Sequence, residues 1–339
     1  MGVSEQPAAI LLRPCKACDT GGRHGGSRAE ATHGSTSNLL ISQVEAPLIR
    51  IRSFAKVNLA LAVLGKRADG FHEIRTVFQS IDLHDELEIR PSARLELQCG
   101  DLSSVSKEEN TVWRAATTLA HAASVSCGAE IFLKKKIPPG AGLGGGSSNA
   151  AAALLGLCKL WRLDVPAAEL RSMAAAIGSD VPFFIQGGTA LGIGRGDEIY
   201  PLPEIPTAHL AVVYPGVHVS TAAAYGSLSP LLTSLGGVHR IQVFCSRLKD
   251  DTGCLAEIFN DFETSILPAY PAVREAKDFL KERGATATLL SGSGSSVFGF
   301  FPDEESALAA SRGDGPGGSW RVFPAKTLSR AEYSYSMFG

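Results

Sequence analysis

Little net charge is carried by this 339-residue chain: 32 Lys and Arg against 34 Asp and Glu leave a formal −2. That balance offers no broad basic surface for nucleic acid and no acidic tail. No apolar run approaches the ~18 residues needed to cross a bilayer, so no membrane partner is expected. Cysteine is sparse, with seven residues, odd in number and scattered. In a chain of this size that is not a disulfide framework, and a reducing compartment is the simpler reading. No internal repeat is evident. What remains is a globular balance, 45% hydrophobic and 19% charged, with ample material for a core and a length that suits two domains.

Residues 1–46 differ from the rest. They are rich in Gly, Ser, Ala and Thr, lack sustained periodicity, and read as a disordered extension. Cys15 and Cys18 form a Cys-x-x-Cys with His24 and His33 downstream, but the spacing is not that of a zinc finger, so a coincidental pair is preferred. Arg13, Arg23 and Arg28 would suit a transit peptide; Glu5, Asp19, Glu30 and Glu45 would not. Gln6 stands where a myristoylation signal needs Ser or Thr. A bacterial cytoplasmic protein is the simplest expectation, with a plastid precursor as the alternative.

From Leu48 the pattern becomes regular. Ile49, Ile51, Val57, Leu59, Leu61 and Val63 alternate with other residues, as in a half-buried strand. Asp69-Gly70 is a turn signal before a second strand over 71–83, with β character continuing over 86–90 and 94–98. A helix is expected over 110–123, with Asn110 as N-cap and Val112, Ala115, Ala116 and Leu119 on one face. A strand over 130–135 leads into a glycine-rich loop. Two helices follow, over 147–161 and 167–177, with Pro166 near the first turn of the second. Residues 181–220 read as β-rich, with Phe183, Phe184 and Ile185 in a strand. Punctuation near 201–206 marks a seam dividing the chain into 47–205 and 206–339. The second half mixes a helix over 271–283 with strands over 286–290, 297–301 and 321–325, an α+β layout.

One run dominates: Ile137-Pro-Pro-Gly-Ala-Gly-Leu-Gly-Gly-Gly-Ser-Ser-Asn149. A glycine loop empties into a helix whose first turn has unpartnered N–H groups and the positive end of the macrodipole. Glycines let that backbone approach a bulky anion, which makes a phosphate cradle. A Walker A loop needs Lys after its glycines, whereas Gly146 is followed by Ser147. Gly140, Gly142 and Gly145 do match a dinucleotide fingerprint, and Asp164 lies at the expected distance. But Asp164 follows a helical run directly instead of ending a second strand, and the loop lies mid-chain. A turn that binds nothing would only carry the entropic cost of five glycines between Gly140 and Gly146.

Four shorter segments stand beside this loop. Lys56 and Asn58 share one face of the first strand, commonly just a solvated face. Phe71 and His72, beside a tight turn, can stack on and hydrogen-bond a planar base, or simply cover a hairpin. Asp180 ends a helix pattern before apolar residues; a carboxylate there opposes the dipole, which favours function over a local Asx-turn. The small residues of 291–296, between two apolar runs, could close over the glycine loop or form a flexible hairpin turn.

In order along the chain, Ala55-Lys-Val-Asn-Leu59, Gly65-Lys-Arg-Ala-Asp-Gly-Phe-His-Glu73, residues 138–148, Gly178-Ser-Asp-Val-Pro182, Asn260-Asp-Phe-Glu263 and residues 290–298 together resemble the GHMP kinase superfamily. This group holds the galactokinases and the homoserine, mevalonate and phosphomevalonate kinases. The glycine loop is shared by all of them. The Asp-Gly-Phe-His-Glu segment and the Gly-Gly-Gly-Ser-Ser-Asn variant point to the branch acting on a cytidine diphosphate-linked methylerythritol, in the non-mevalonate route to isoprenoid precursors.

The resemblance implies an α+β fold of two domains, the N-terminal one like domain 2 of ribosomal protein S5 and the C-terminal one ferredoxin-like, with ATP in the cleft between them. It implies transfer of the ATP γ-phosphoryl group to the 2-hydroxyl of the methylerythritol moiety, with Mg²⁺, by a monomer or weak homodimer. Asp180 would be the general base; Lys56 would stand beside it, keeping it charged and stabilising the transferring group. Pro138, Pro139, Gly140, Ala141, Gly142, Leu143, Gly144, Gly145, Gly146, Ser147 and Ser148 would hold the ATP phosphates, with Asn110 and Lys135 on the adenosine side. Asn58 would contact the substrate, Thr221 its phosphates, and Phe71 and His72 its cytosine. The family commonly has tyrosine where this chain has Phe71, so stacking survives and a phenol contact does not. Ser148 offers the oxygen a hard cation prefers; no protein metal ligand is assigned. The Phe71–His72 pocket argues against mevalonate-like or amino-alcohol acceptors, and retention of Lys56 and Asp180 argues against a nucleotide-binding regulator without catalysis.

Overall fold

Two long strands organise the first half of the chain. β1 (Ile49–Lys66) and β2 (His72–Ser92) run antiparallel along their whole length, from Ile49 opposite Ile89 to Lys66 opposite His72. The computed structural model describes residues 47–100, 106, 108–228, 236–248, 252–313, 315 and 320–339; the extension over 1–46 and its Cys15–Cys18 pair lie outside them. Arg50 and Arg52 are exposed, but every residue from Ser53 to Val63 is buried. Elements cover both faces of β1 there, so the half-buried reading of this strand is corrected for its centre.

β2 serves two partners along one edge. Its C-terminal stretch pairs with β4 (Gly128–Lys134), which in turn runs parallel to β3 (Glu96–Cys99). Its N-terminal stretch pairs with β5 (Thr189–Gly194), extended by β6 (Glu198–Pro201). Helices α1 (Thr111–Ala122), α2 (Gly145–Trp161), α3 (Ala167–Ile177) and α4 (Val181–Gln186) cover one face. Val112, Leu119, Leu154 and Phe183 from these helices pack with Ile51, Leu87, Ile89 and Ile131 of the sheet. Asn110 caps α1 as expected: its side-chain oxygen accepts from Val112 N–H at 2.9 Å. Residues 181–186 are helical rather than a strand. Pro182 suits a first helical turn, and Val181 to Phe184 are all buried, which erases the period that would have distinguished helix from strand.

The second sheet has the order β11-β7-β10-β9 and is antiparallel throughout. It consists of β7 (His209–Tyr214), β9 (Ala287–Leu290), β10 (Val297–Phe301) and β11 (Arg321–Lys326). One face packs on α8 (Pro271–Glu282) and α9 (Glu304–Ala310). Leu210, Val212, Phe298 and Phe300 on the other face meet Val57 and Leu59 of β1. Between these elements run α5 (Thr221–Gly226), α6 (Gly236–Arg247), the two-residue strand β8 (Phe259–Asn260) and α7 (Glu263–Ala269). β8 adds to β1 in parallel, tying the halves together. The last helix, α10 (Arg330–Met337), returns to the first core: Tyr333 is buried there and donates its hydroxyl to the Phe184 carbonyl at 2.7 Å. Sequence order assigns this helix to the second half, but its packing assigns it to the first. Among the described residues no helix is long and apolar enough to cross a membrane.

Candidate active site

The glycine-rich run bridges β4 and α2. Gly144 is the N-cap of α2 with φ 69°, and Gly140 and Gly142 are also left-handed at 63° and 79°. A Cβ on Gly142 would stand 2.2 Å from the Ser291 carbonyl oxygen, and one on Gly144 would stand 2.7 Å from the Phe184 ring. Neighbours take up the loop's carbonyls. Lys56 N–H donates to Leu143 O and Ser296 N–H to Ala141 O, both at 3.0 Å, and the Ser291 hydroxyl donates to Gly142 O at 2.9 Å. The segment over 291–296 therefore does lie on the glycine loop. It is held in turn by Asn260, whose amide donates to the carbonyls of Leu290 and Gly292 at 2.8 and 2.7 Å.

A carboxylate that the sequence reading passed over anchors the start of this loop. Fully buried Asp85, on β2, accepts at Oδ1 from the backbone N–H groups of Lys136 and Ile137, at 2.6 and 2.8 Å. Its Oδ2 accepts from Asn149 Nδ2 at 2.8 Å and from Lys135 Nζ at 2.5 Å. Lys135 also donates to Asn149 Oδ1 at 2.9 Å, and Asn149 Nδ2 reaches Ser53 Oγ at 2.8 Å. One charge thus ties the end of β4, the head of the loop and the first turn of α2. One acid among several on this strand, between His84 and Glu86, carries no sequence mark of this role, because its partners lie 50 residues and more away.

Lys56 and Asn58 share a face of β1, and that face is buried rather than solvated: their relative exposures are 3% and 2%. Lys56 Nζ donates to Asn58 Oδ1 at 2.7 Å and lies 3.4 Å from Asp180 Oδ2. Asn58 Nδ2 donates to Thr76 Oγ1 at 2.7 Å, so the amide is held at both ends and steers the ammonium. Asp180 is not at a helix C-terminus. α3 ends at Ile177, and Asp180 is the N-cap residue of α4, where the macrodipole favours a carboxylate instead of opposing it. Its side chain makes no capping bond and faces Lys56. An ammonium and a carboxylate beside a helix N-terminus can accept a proton and stabilise charge on a moving phosphoryl group.

The opposite end of the cleft is aromatic. The turn between β1 and β2 is closed by Arg67 N–H to Phe71 O at 2.8 Å and Phe71 N–H to Asp69 Oδ1 at 3.1 Å. Phe71 is 53% exposed. His72 stacks on Tyr225 of α5, with centroids 4.4 Å apart and planes at 14°. Burial, with the Lys66 charge in second place, pushes the His72 imidazole below its ordinary value. Burial, and then the Asp180 charge, pushes the Tyr225 phenol up to about 12. Tyr225 escaped the sequence reading because α5 is only six residues long and shows no period. Thr221 opens the same helix, with Oγ1 3.1 Å from Ser293 Oγ.

These groups line one cleft of about 930 Å³. It brings together Lys56, Asn58, Phe71, His72, Asp180 and Thr221 with Gly140, Gly142, Gly144 and Ser147. Other expected site residues lie outside its lining. Asn110 is engaged as a cap, and the Lys135 ammonium is turned to Asp85 and Asn149. Ala141, Leu143 and Ser148 are buried, and the Ser148 hydroxyl accepts from Ser53 Oγ at 2.7 Å. Pro138, Pro139, Gly145 and Gly146 form the outer parts of the loop and the start of α2.

The sequence pattern of the GHMP kinases N terminal domain matches residues 110–188, and that of the GHMP kinases C terminal domain matches residues 248–313. The 4-diphosphocytidyl-2-C-methyl-D-erythritol kinase of Solibacter usitatus is 42% identical over 288 residues, 84% of this chain and 90% of that protein. The one of Syntrophus aciditrophicus is 40% identical over 282 residues, 83% of this chain and 100% of that protein. A crystal structure of a 4-(cytidine 5'-diphospho)-2C-methyl-D-erythritol kinase superposes with a TM-score of 0.69 at 30% identity, covering 82% of this chain and 99% of its own. A homoserine kinase from Cytophaga hutchinsonii shares the fold, with a TM-score of 0.66 at 21% identity, covering 86% of this chain and 97% of its own.

Proposed function

The chain belongs to the GHMP kinase family, among the 4-diphosphocytidyl-2-C-methyl-D-erythritol kinases, and from that membership we propose that it transfers the γ-phosphoryl group of ATP to the 2-hydroxyl of the methylerythritol moiety of 4-diphosphocytidyl-2-C-methyl-D-erythritol. The observation that carries this reading is the 3.4 Å pair of Lys56 and Asp180 in the cleft shared by the glycine loop and the Phe71–His72 turn. Asp180 takes the hydroxyl proton. Lys56, steered by Asn58, offsets negative charge on the transferring group. The glycine loop and the first turn of α2 receive the ATP phosphates through backbone N–H groups; its glycines allow the left-handed backbone and the close packing on Ser291 and Phe184 that hold the loop in place.

Asn110, next to Thr111 whose hydroxyl donates to the Gly146 carbonyl, and Lys135, which donates to Asn149, stand by the first turn of α2, toward which the adenosine would extend. Phe71 stacks on the cytosine, and neutral His72 offers one donor and one acceptor to its edge. Asn58 contacts the methylerythritol end and Thr221 the substrate's phosphates. Mg²⁺ supplies charge neutralisation between the phosphates when bound. Among the described residues no group of three or more His, Cys, Asp or Glu could hold a metal; the Asp180 carboxylate and the Ser147 hydroxyl are among the cleft oxygens that would contact it, whereas the Ser148 hydroxyl expected for that is buried against Ser53. A cation held mostly by phosphates and water fits that sparse set. The bacterial relatives support a bacterial enzyme, which we read as cytoplasmic; a monomer or weak homodimer is what the family resemblance implies.

ADP release with the cytidylated methylerythritol, with mevalonate and without acceptor tests the reading. Release is expected above background in the first reaction alone. Equal release with mevalonate would shift the acceptor class, and release independent of any acceptor would remove the transfer.

A further inference from the structure

We infer that Arg195 is a positioning residue for the cytidylated substrate: its guanidinium backs one face of the Phe71 ring and leaves the other face for the base. This rests on the base site proposed above. Arg195 is at the tip of the turn between β5 and β6 and lines the cleft, 4.9 Å from the Phe71 ring centroid. Three features aim it there. Ile74 pairs with Gly194, which puts this turn beside the start of β2 and hence beside Phe71 and His72. Gly194 and Gly196 flank Arg195 with φ of 68° and 91°, and Gly196 N–H donates to Ile193 O at 3.0 Å, closing the turn. Asp197 Oδ2 accepts from both Nε and Nη2 of Arg195, at 3.1 and 2.5 Å, which fixes the guanidinium plane.

Phe71 needs such a brace. Its ring is half-exposed at a turn tip, so a free rotamer would have to be ordered each time a base arrives. A cation held over one face orders the ring beforehand, and a ring flanked by guanidinium and base sits in a stack of three. Because Asp197 occupies two of the Arg195 donors, the guanidinium serves better as a plate against the ring than as a clamp on phosphate.

A double-mutant cycle on the full chain tests this. Arg195→Ala should raise KM for the cytidylated methylerythritol about two- to five-fold, the worth of an exposed cation–ring contact, with KM for ATP and kcat unmoved. Arg195→Lys should restore part of the loss. In a Phe71→Ala background Arg195→Ala should add nothing. An unchanged KM in Arg195→Ala overturns the inference, as does an effect that persists in full without the Phe71 ring, since that marks direct contact with substrate. A matching rise in KM for ATP also overturns it, because it reports a general disturbance of the fold. If Phe71→Ala alone leaves KM unchanged, the base site itself fails, and that result is distinct from failure of Arg195.

Discussion

At the glycine-loop end of the cleft, most polar groups are committed before a ligand arrives; at the Phe71 end, the recognising side chains stand on a turn and the strand start beside it, held by single ring contacts. Asp85 is fully buried with four donors on it, and the loop's carbonyls are taken by Lys56, Ser291 and Ser296. Phe71 is 53% exposed, and His72 is held by one stacking contact with Tyr225. The contrast suits what each end would bind under the proposed function. Phosphates are read by backbone N–H groups, whose direction can be set only by fixing the chain itself. A base is read by ring faces and edges, which individual side chains can supply. Lys56 and Asp180 lie where the two meet, one on the longest-buried strand and the other at a helix start.

The largest change should come at that meeting point. Asp180→Asn is expected to lower kcat by about 10²–10⁴-fold, the usual worth of a positioned base, while ATP binding by calorimetry persists; full turnover would remove Asp180 from its role. Next is the rigid end. Asp85→Asn leaves the Lys135 ammonium buried without its charge partner, so urea unfolding should show a loss of about 3–5 kcal/mol and KM for ATP should rise more than KM for the acceptor. An unchanged urea midpoint would mean that the loop does not depend on this anchor. At the softer end, His72→Ala should weaken acceptor KM by about 1–3 kcal/mol, as for an abandoned hydrogen bond, with stability nearly unaltered. Equal loss of stability at both ends would erase the contrast.

The smallest effect is the pH dependence of acceptor KM. Burial, followed by the Lys66 charge, lowers the His72 pKa, so the ring stays neutral through pH 7 and protonates only below the ordinary value of about 6.5. Acceptor KM should therefore be flat above that pH and rise below it, and the acid limb should vanish in His72→Ala. A limb centred above 6.5 would mean that the ring is charged when it binds.

Much of this was legible in the residues. The helix starts at Asn110 and in the glycine run, the strands over 297–301 and 321–325, and the pairing of Lys56 with Asn58 on one face all rest on local periods and caps that the chain displays by itself. What misled was burial on every side. β1 is covered on both faces through its centre, and α4 is apolar all round. In both, the contrast between inside and outside that periodicity depends on is gone. Short elements such as α5 hid Tyr225, and the remoteness of its partners hid Asp85.

The order of motifs and the glycine spacing by themselves determined which family the chain resembles and pointed to a phosphate ligand, since close approach to an anion demands residues without side chains in one short stretch. Only the folded chain decided which polar groups reach the cleft. Ser147 faces it and Ser148 does not, and Lys135 turns to Asp85 while Lys56 turns to Asp180. The reason is physical: a buried charge goes to whichever opposite charge the packing of distant strands and helices brings within hydrogen-bond reach, and local sequence does not encode that distance.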